Sequence, residues 1–184
     1  MENGFARSEK LSSLEPVYIG GGTPSLLSLS QIKKITGTIY DTIGKKGSGK
    51  IKEFTVEVNP DDVTKELLEV LSVCGVTRLS CGIQSFNDKS LSFCHRRADR
   101  KTNLHAIELF QNYWDGELSL DLISALPYET CESFLEGLGI VTETKANHIS
   151  LYSLTIEEET PLGKIFENGE IDYDFDKADS MWLS

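Results

Sequence analysis

Five short apolar runs, at 17–19, 54–58, 78–81, 118–123 and 149–154, alternate with longer segments in which apolar residues recur every three or four positions. The runs are β-branched or leucine-rich and bounded by glycine, proline or asparagine, which predicts buried strands. Between them, Leu29, Ile32, Ile35, Ile39 and Ile43 predict a helix opened by a Ser28/Gln31 capping pair and stopped at Gly44. A second helix is predicted from about Thr64 through Leu67, Leu68 and Leu71 to Gly75. A third carries Leu104, Ile107, Phe110 and Trp114 up to Asp115-Gly116, and a fourth follows Thr130 with Phe134, Leu135, Leu138 and Val141. Strand–helix alternation of this kind implies an α/β fold, an open barrel-like parallel sheet of five strands with helices outside. No helix precedes the first strand. The segment from Glu157 onward reads as irregular, with the start of a helix at 176–183.

Composition narrows the function classes. With 184 residues, 39% of them hydrophobic, the chain can bury one sizeable core. Nothing approaches the run of about 20 apolar residues that a membrane span needs, and MENGFARSEK is not a signal peptide. A cytoplasmic location is the default expectation. The net charge of −11 argues against nucleic acid as a partner. Much of it lies between residues 157 and 179, where nine acids face two lysines, and reads as a solvated surface segment. Cys74, Cys81, Cys94 and Cys131 are scattered without a C-x-x-C pair, which fits reduced thiols and supplies no metal site.

Ligands of parallel α/β folds bind beyond the carboxyl ends of the strands. There this chain places Gly20-Gly21-Gly22-Thr23-Pro24, Glu57-Val58-Asn59-Pro60, Gly82-Ile83-Gln84-Ser85, Asp121 and Ser153-Leu154-Thr155. One such group alone would satisfy a helix end or a turn; five in succession at equivalent positions favour a shared polar ligand. The three glycines permit close backbone approach and positive φ, but do not form G-x-G-x-x-G. Gly44-Lys45-Lys46-Gly47-Ser48-Gly49-Lys50 mimics a phosphate-binding loop. However, Ile51 stands where Ser or Thr would hold Mg²⁺, and the segment runs from helix to strand, so a flexible basic loop is expected. In His95-Arg96-Arg97 an arginine could clamp a carboxylate. His105 and His148 read as ordinary surface or structural residues.

In order along the chain, VYIGGGTPSLLS (17–28), EVNP (57–60), GVTRLSCGIQSF (75–86), LDLISALP (120–127) and LYSLTIEEETPL (151–162) resemble radical S-adenosylmethionine (SAM) proteins of the oxygen-independent coproporphyrinogen III oxidase family. The last motif is most similar to the family's haem-chaperone branch. The resemblance implies a partial (β/α)₆ TIM-like barrel binding SAM beside a [4Fe-4S] cluster. It implies SAM contacts at Gly21, Gly22 and Thr23 (methionine end), Glu57 and Gln84 (ribose), Arg96 (carboxylate), Asp121 and Thr155. In an intact relative the reduced cluster cleaves SAM to methionine and a 5′-deoxyadenosyl radical.

The chain departs from the family pattern at three places. His95-Arg96-Arg97-Ala98 replaces Gly-Arg followed two residues later by histidine. Ala125-Leu126-Pro127-Tyr128-Glu129-Thr130 replaces Gly-Leu-Pro-Gly-Gln-Thr. The family's C-x-x-x-C-x-x-C, whose thiolates ligate the cluster, does not occur, and no cysteine precedes Gly20. The expectation is therefore a segment of the radical SAM core lacking its first strand, with 1–15 undetermined, 16–156 the partial core, and 157–184 an acidic tail opening a truncated C-terminal region. Three functions stay open: a haem chaperone, ranked first, with haem as partner; an oxidase decarboxylating porphyrinogen propionates; and a non-catalytic remnant. No catalytic residue and no metal ligand is assigned. SAM affinity is expected to be weak without the cluster, and the exposed edge at 17–19 is expected to promote self-association.

Overall fold

The computed structural model describes residues 16–45, 51–157, 159–169 and 171. Five strands, β1 (Pro16–Ile19), β2 (Glu53–Val58), β3 (Arg78–Gln84), β4 (Glu117–Ser124) and β5 (His148–Ser153), form one sheet in sequence order, every neighbouring pair parallel. This singly wound order is the one a partial barrel requires. The helices α1 (Leu29–Lys45), α2 (Lys65–Val73), α3 (Asp88–Phe93), α4 (Arg100–Tyr113) and α5 (Cys131–Thr142) connect the strands.

Helix punctuation follows the sequence closely. Ser28 N donates to Gln31 Oε1 (2.8 Å) and Gln31 N to Ser28 Oγ (3.3 Å), a reciprocal cap for α1. That helix continues to Lys45, one residue past Gly44; residues 46–50 of the phosphate-loop mimic lie outside the described residues. Behind α2, Gly75 takes φ +77, Gly75 N donates to Ser72 O, and Val76 N donates to Leu71 O, the paired bonds of a Schellman stop. Thr64, Asp99 and Thr130 accept from backbone amides as N-caps of α2, α4 and α5.

Two elements depart from the sequence reading. A short α3, capped by Asn87 accepting from Lys89 N and Ser90 N, occupies what the pattern left as loop. A further helix, α6 (Pro161–Glu167), lies in the stretch read as irregular; Thr160 accepts from Gly163 N at its start and Pro161 holds the first turn. The helix expected at 176–183 lies outside the described residues.

The strands also differ from the buried slabs expected of parallel sheets. Phe54, Val56, Val58, Leu79, Cys81, Ile83, Leu118, Leu120 and Leu122 join Leu67, Leu68, Leu71, Ala106, Ile107, Phe110 and Phe134 of the helices in one core. The alternate positions are polar: Thr55 and Glu57, Ser80, Ser119 and Asp121, Ser150. Because strand side chains alternate with period two, the sheet is oily on its helix-covered face and hydrogen-bonding on the other. Continuous burial on both faces is the rule when helices cover both sides. Here the helices named above pack on the apolar face, and the polar face, along which Thr55, Ser80 and Ser119 are buried, leads to the rim.

Candidate functional site

At the carboxyl ends of β1 to β4 the polar face opens into a cleft of about 330 Å³. Its wall is assembled loop by loop. After β1, Gly21 and Gly22 take φ +83 and +63 with open space where a Cβ would project, so here glycine supplies conformation. Gly20 supplies room instead: a Cβ there would lie 2.6 Å from Glu57 Oε1. Glu57 is held through both oxygens, accepting from Tyr18 Oη at Oε1 (2.7 Å) and from Gly21 N at Oε2 (2.9 Å). Burial, and then the hydrogen bond to Glu57 and its charge, push the Tyr18 phenol up to about 12. The phenol therefore remains a donor to the carboxylate across the physiological range.

The loop after β2 locks this first loop in place. Ser25 Oγ donates to Asp62 Oδ2 (2.6 Å) and accepts from Asn59 N (3.1 Å), while Asn59 Nδ2 donates to Thr23 Oγ1 (3.4 Å). The two adjacent arginines diverge. Arg97 leaves the cleft to bridge Asp61 (2.6 Å) and Asp62 (2.9 Å). Arg96 enters it, Nη2 donating to Gly82 O (2.9 Å) and Asn59 Oδ1 (3.3 Å). The turn that aims it passes through His95 at φ +53, with Arg96 N bonded to Leu91 O of α3. A Cβ on Gly82 would stand 3.4 Å from Arg96 Nη2 and 2.5 Å from Gln84 Nε2, so this glycine clears the way for both side chains. Asp121 accepts from Ser80 Oγ (2.9 Å) and Ser119 Oγ (3.2 Å).

Of the eight residues singled out in the sequence, Gly22, Thr23, Glu57, Gln84, Arg96 and Asp121 line this one cleft. Gly21 stands behind it, bonded to Glu57. Thr155 is exposed, two residues beyond β5, and does not line the cleft. Tyr18, Asn59, Ser80 and Tyr152 complete the wall or its support and were not singled out. Ser80 and Tyr18 carry a readable signal, since each sits at an inward position of its strand's two-residue alternation.

The cleft combines two carboxylates, one guanidinium, backbone amides and hydroxyls, a set suited to a ligand with both charges and a diol. SAM, with its sulfonium, ammonium, carboxylate and ribose hydroxyls, fits that set. The donor set of this cleft, without a thiolate, does not suit an iron–sulfur cluster. Among the described residues no group of three or more His, Cys, Asp or Glu could hold a metal. The cysteines are free thiols; burial pushes the Cys81 and Cys94 thiols up, away from the thiolate a metal needs.

A singly wound parallel sheet with a polar cleft at its strand ends defines a class, the partial (β/α) barrels. The model of the radical SAM superfamily matches residues 5–138, and the chain belongs to that superfamily. Its likeness lies with the coproporphyrinogen III oxidase family, on the haem-chaperone side. The heme chaperone HemW of Bacillus subtilis (strain 168) is 35% identical over 158 residues, spanning 86% of this chain and 41% of that protein. A mitochondrial radical S-adenosyl methionine domain-containing protein 1 of Danio rerio is 31% identical, over 94% of this chain and 38% of its own length. Among solved structures, the radical SAM enzyme coproporphyrinogen III oxidase (HemN) of Escherichia coli shares the fold with a TM-score of 0.75, at 23% identity over 91% of this chain and 38% of that one. The chain thus spans about two fifths of the curated relatives it matches. No helix among the described residues is long and apolar enough to cross a membrane.

Proposed function

We propose that this chain is the SAM-binding portion of a haem chaperone, with SAM held in the rim cleft. The observation that carries the reading is the convergence of Gly22, Thr23, Glu57, Gln84, Arg96 and Asp121 from four successive strands on one cleft. In this reading Arg96 pairs with the SAM carboxylate, Glu57 and Gln84 take the ribose hydroxyls, and the Gly21–Gly22–Thr23 backbone meets the methionine end. Asp121, oriented by two serine hydroxyls, contributes a further acceptor. Thr155 keeps a SAM contact in this reading only from outside the cleft wall. Bound SAM is the superfamily's source of radical chemistry once an electron donor is present. Residues 1–184 contain no C-x-x-x-C-x-x-C, so binding and orientation are what we assign to them. Haem handling is supported by the relatives named heme chaperone HemW, and a reducing, cytoplasmic compartment by the free thiols.

Calorimetric titration of SAM into the chain tests this. Saturable, weak binding is expected, weakened about 30-fold by Arg96→Ala, the equivalent of roughly 2 kcal/mol for one charge-assisted pair. No saturation, or equal affinity in the variant, would overturn the assignment. Parallel titrations with haem and with coproporphyrinogen III separate chaperone from oxidase: haem alone should saturate, and porphyrinogen binding alone would favour the oxidase.

Self-association is supported by β1, which pairs with β2 alone among the described residues and so presents an edge. Light scattering over a dilution series should show dimers or larger species dissociating on dilution. A monodisperse monomer at every concentration would remove this part of the reading.

A further inference from the structure

Gln84 lines the cleft from a backbone that non-glycine residues rarely adopt, φ +68, at a point where the β3–β4 register shifts. The adjoining loop after β4 is bent the same way at Ala125 (φ +60) and Tyr128 (φ +67). Such conformations persist only where the surroundings over-determine them. Here the two loops are stitched together. Asn103 Nδ2, on α4, donates to the carbonyls on either side of Gln84, those of Ile83 (3.1 Å) and Ser85 (2.8 Å). Ser85 Oγ donates to Glu129 Oε1 (2.5 Å) and accepts from Asn87 N (3.0 Å). Asn87 Nδ2 donates to Tyr128 O (3.0 Å), and Ser90 Oγ to Pro127 O (2.8 Å).

The centre of this stitching is unusual in one respect. Glu129 is 7% exposed and Asn103 fully buried, yet Glu129 Oε2 and Asn103 Oδ1 have no hydrogen-bond partner among the described residues. Two unmet acceptors on residues that both bond Ser85 are costly, and an ionised Glu129 would be costlier still. A neutral acid relieves the charge and adds a donor. We propose that Glu129 is a positioning residue of the cleft: as the neutral acid it closes the two loops through Ser85 and keeps Gln84 in its strained backbone, and its ionisation opens them. This rests on the reading of the cleft as a SAM site, because the position of Gln84 matters only to a ligand there.

Burial pushes the Glu129 carboxyl up to about 7, against the smaller opposing effects of Ser85 and the Leu126 backbone. The groups that act on it are Ser85 from the β3 loop, the Leu126 backbone of its own loop and, titratable, Cys94 at the end of α3, which also feels Arg96. By linkage, a closed state that holds its proton up to about 7, where a solvated carboxyl releases it at its ordinary 4.5, loses ground to the open state as pH rises between those two values and no further above them.

Amide hydrogen exchange on the whole chain between about pH 5.5 and 8.5, corrected for intrinsic rates, tests the proposal. Protection of the amides at 85–87 and 128–129 should fall at least tenfold with rising pH in the wild type. It should stay level in Glu129→Gln, while the Leu79 and Leu120 amides respond alike in both. Ser85→Ala should show low protection at every pH, which covers the case of a Gln variant that does not fold. An unchanged pH response in Glu129→Gln, or none in the wild type, overturns the proposal. SAM titrations at the two pH extremes form a separate arm. Weaker binding at high pH in the wild type alone supports positioning, and equal affinity at both overturns it. Loop amides that respond as expected in a chain that binds no SAM at either pH uphold control of Gln84 by Glu129 and sink only the SAM reading.

Discussion

Trp114→Ala lowers the stability of the chain by about 3–5 kcal/mol, the range for emptying a large aromatic site in a packed core. Trp114 is 1% exposed and belongs to the main apolar cluster, where it closes the carboxyl end of α4. Its ring is wedged against Gly116, where a Cβ would lie 2.6 Å from Cζ2, and its Nε1 donates to Glu117 O (3.0 Å) as β4 begins. Lys145 Nζ caps the same corner, donating to the carbonyls of Gln111 (3.2 Å) and Trp114. Removing the indole therefore leaves a cavity and takes away the side-chain donor to the Glu117 carbonyl together. Trp114→Phe keeps most of the volume and loses the donor, so its cost should be smaller, about 1–2 kcal/mol. Urea unfolding followed by circular dichroism reads both. A loss below about 1 kcal/mol in the alanine variant would mean that the corner collapses without penalty.

Glu129→Gln should change how stability depends on pH. In the fold, burial raises the carboxyl from its ordinary 4.5 to about 7, so between those values the native chain keeps a proton that the unfolded chain has released. Native protons in excess mean that stability falls as pH rises through this window, and the contribution is fully lost above it. A shift of that size corresponds to about 3 kcal/mol. The Gln variant carries no such proton. Its unfolding free energy minus that of the wild type should therefore rise by about 3 kcal/mol between pH 4 and pH 8. Matched urea series at several pH values measure the difference, in which the other carboxylates cancel. A flat difference would show that Glu129 titrates alike in the native and unfolded chain. The amide also replaces an unpartnered buried acceptor with a donor, and Gln is the residue that the resemblance places at this position.

Most of the scaffold was legible because its strands and helices obey their own periods. All five apolar runs became strands, and Ser28, Thr64, Gly75 and Thr130 punctuate helices as their chemistry dictates. What escaped shows where one-dimensional reading ends. The Thr160-Pro161 start of α6 was a signal passed over beneath the heavy acidic charge. The positive φ of Gln84 could not be read at all, since nothing in a glutamine announces a left-handed backbone that its neighbours impose. Glu57, Gln84 and Asp121 were found by counting strand ends. Thr155 fell outside the cleft because the chain leaves β5 at Ser153 before reaching it. The clamp of Tyr18 on Glu57 joins residues 39 apart and becomes visible only once β1 lies beside β2.

The order of the sheet has a consequence for the way the chain assembles. Each strand pairs with the one before it, β1 to β2 and onward to β5, so every new pairing closes a loop of one α-helix, or two between β3 and β4. Loop-closure entropy is then met in small steps, and a chain emerging from the ribosome can add one strand–helix unit at a time to a growing edge. The cleft matures on the same schedule: Glu57 gains its Tyr18 clamp when the second strand docks, Arg96 reaches Gly82 after the third, and Asp121 meets Ser80 with the fourth. Tyr152, the last residue of the cleft wall, arrives only with the fifth strand, so the rim is completed together with the sheet, once about residue 152 has left the exit tunnel.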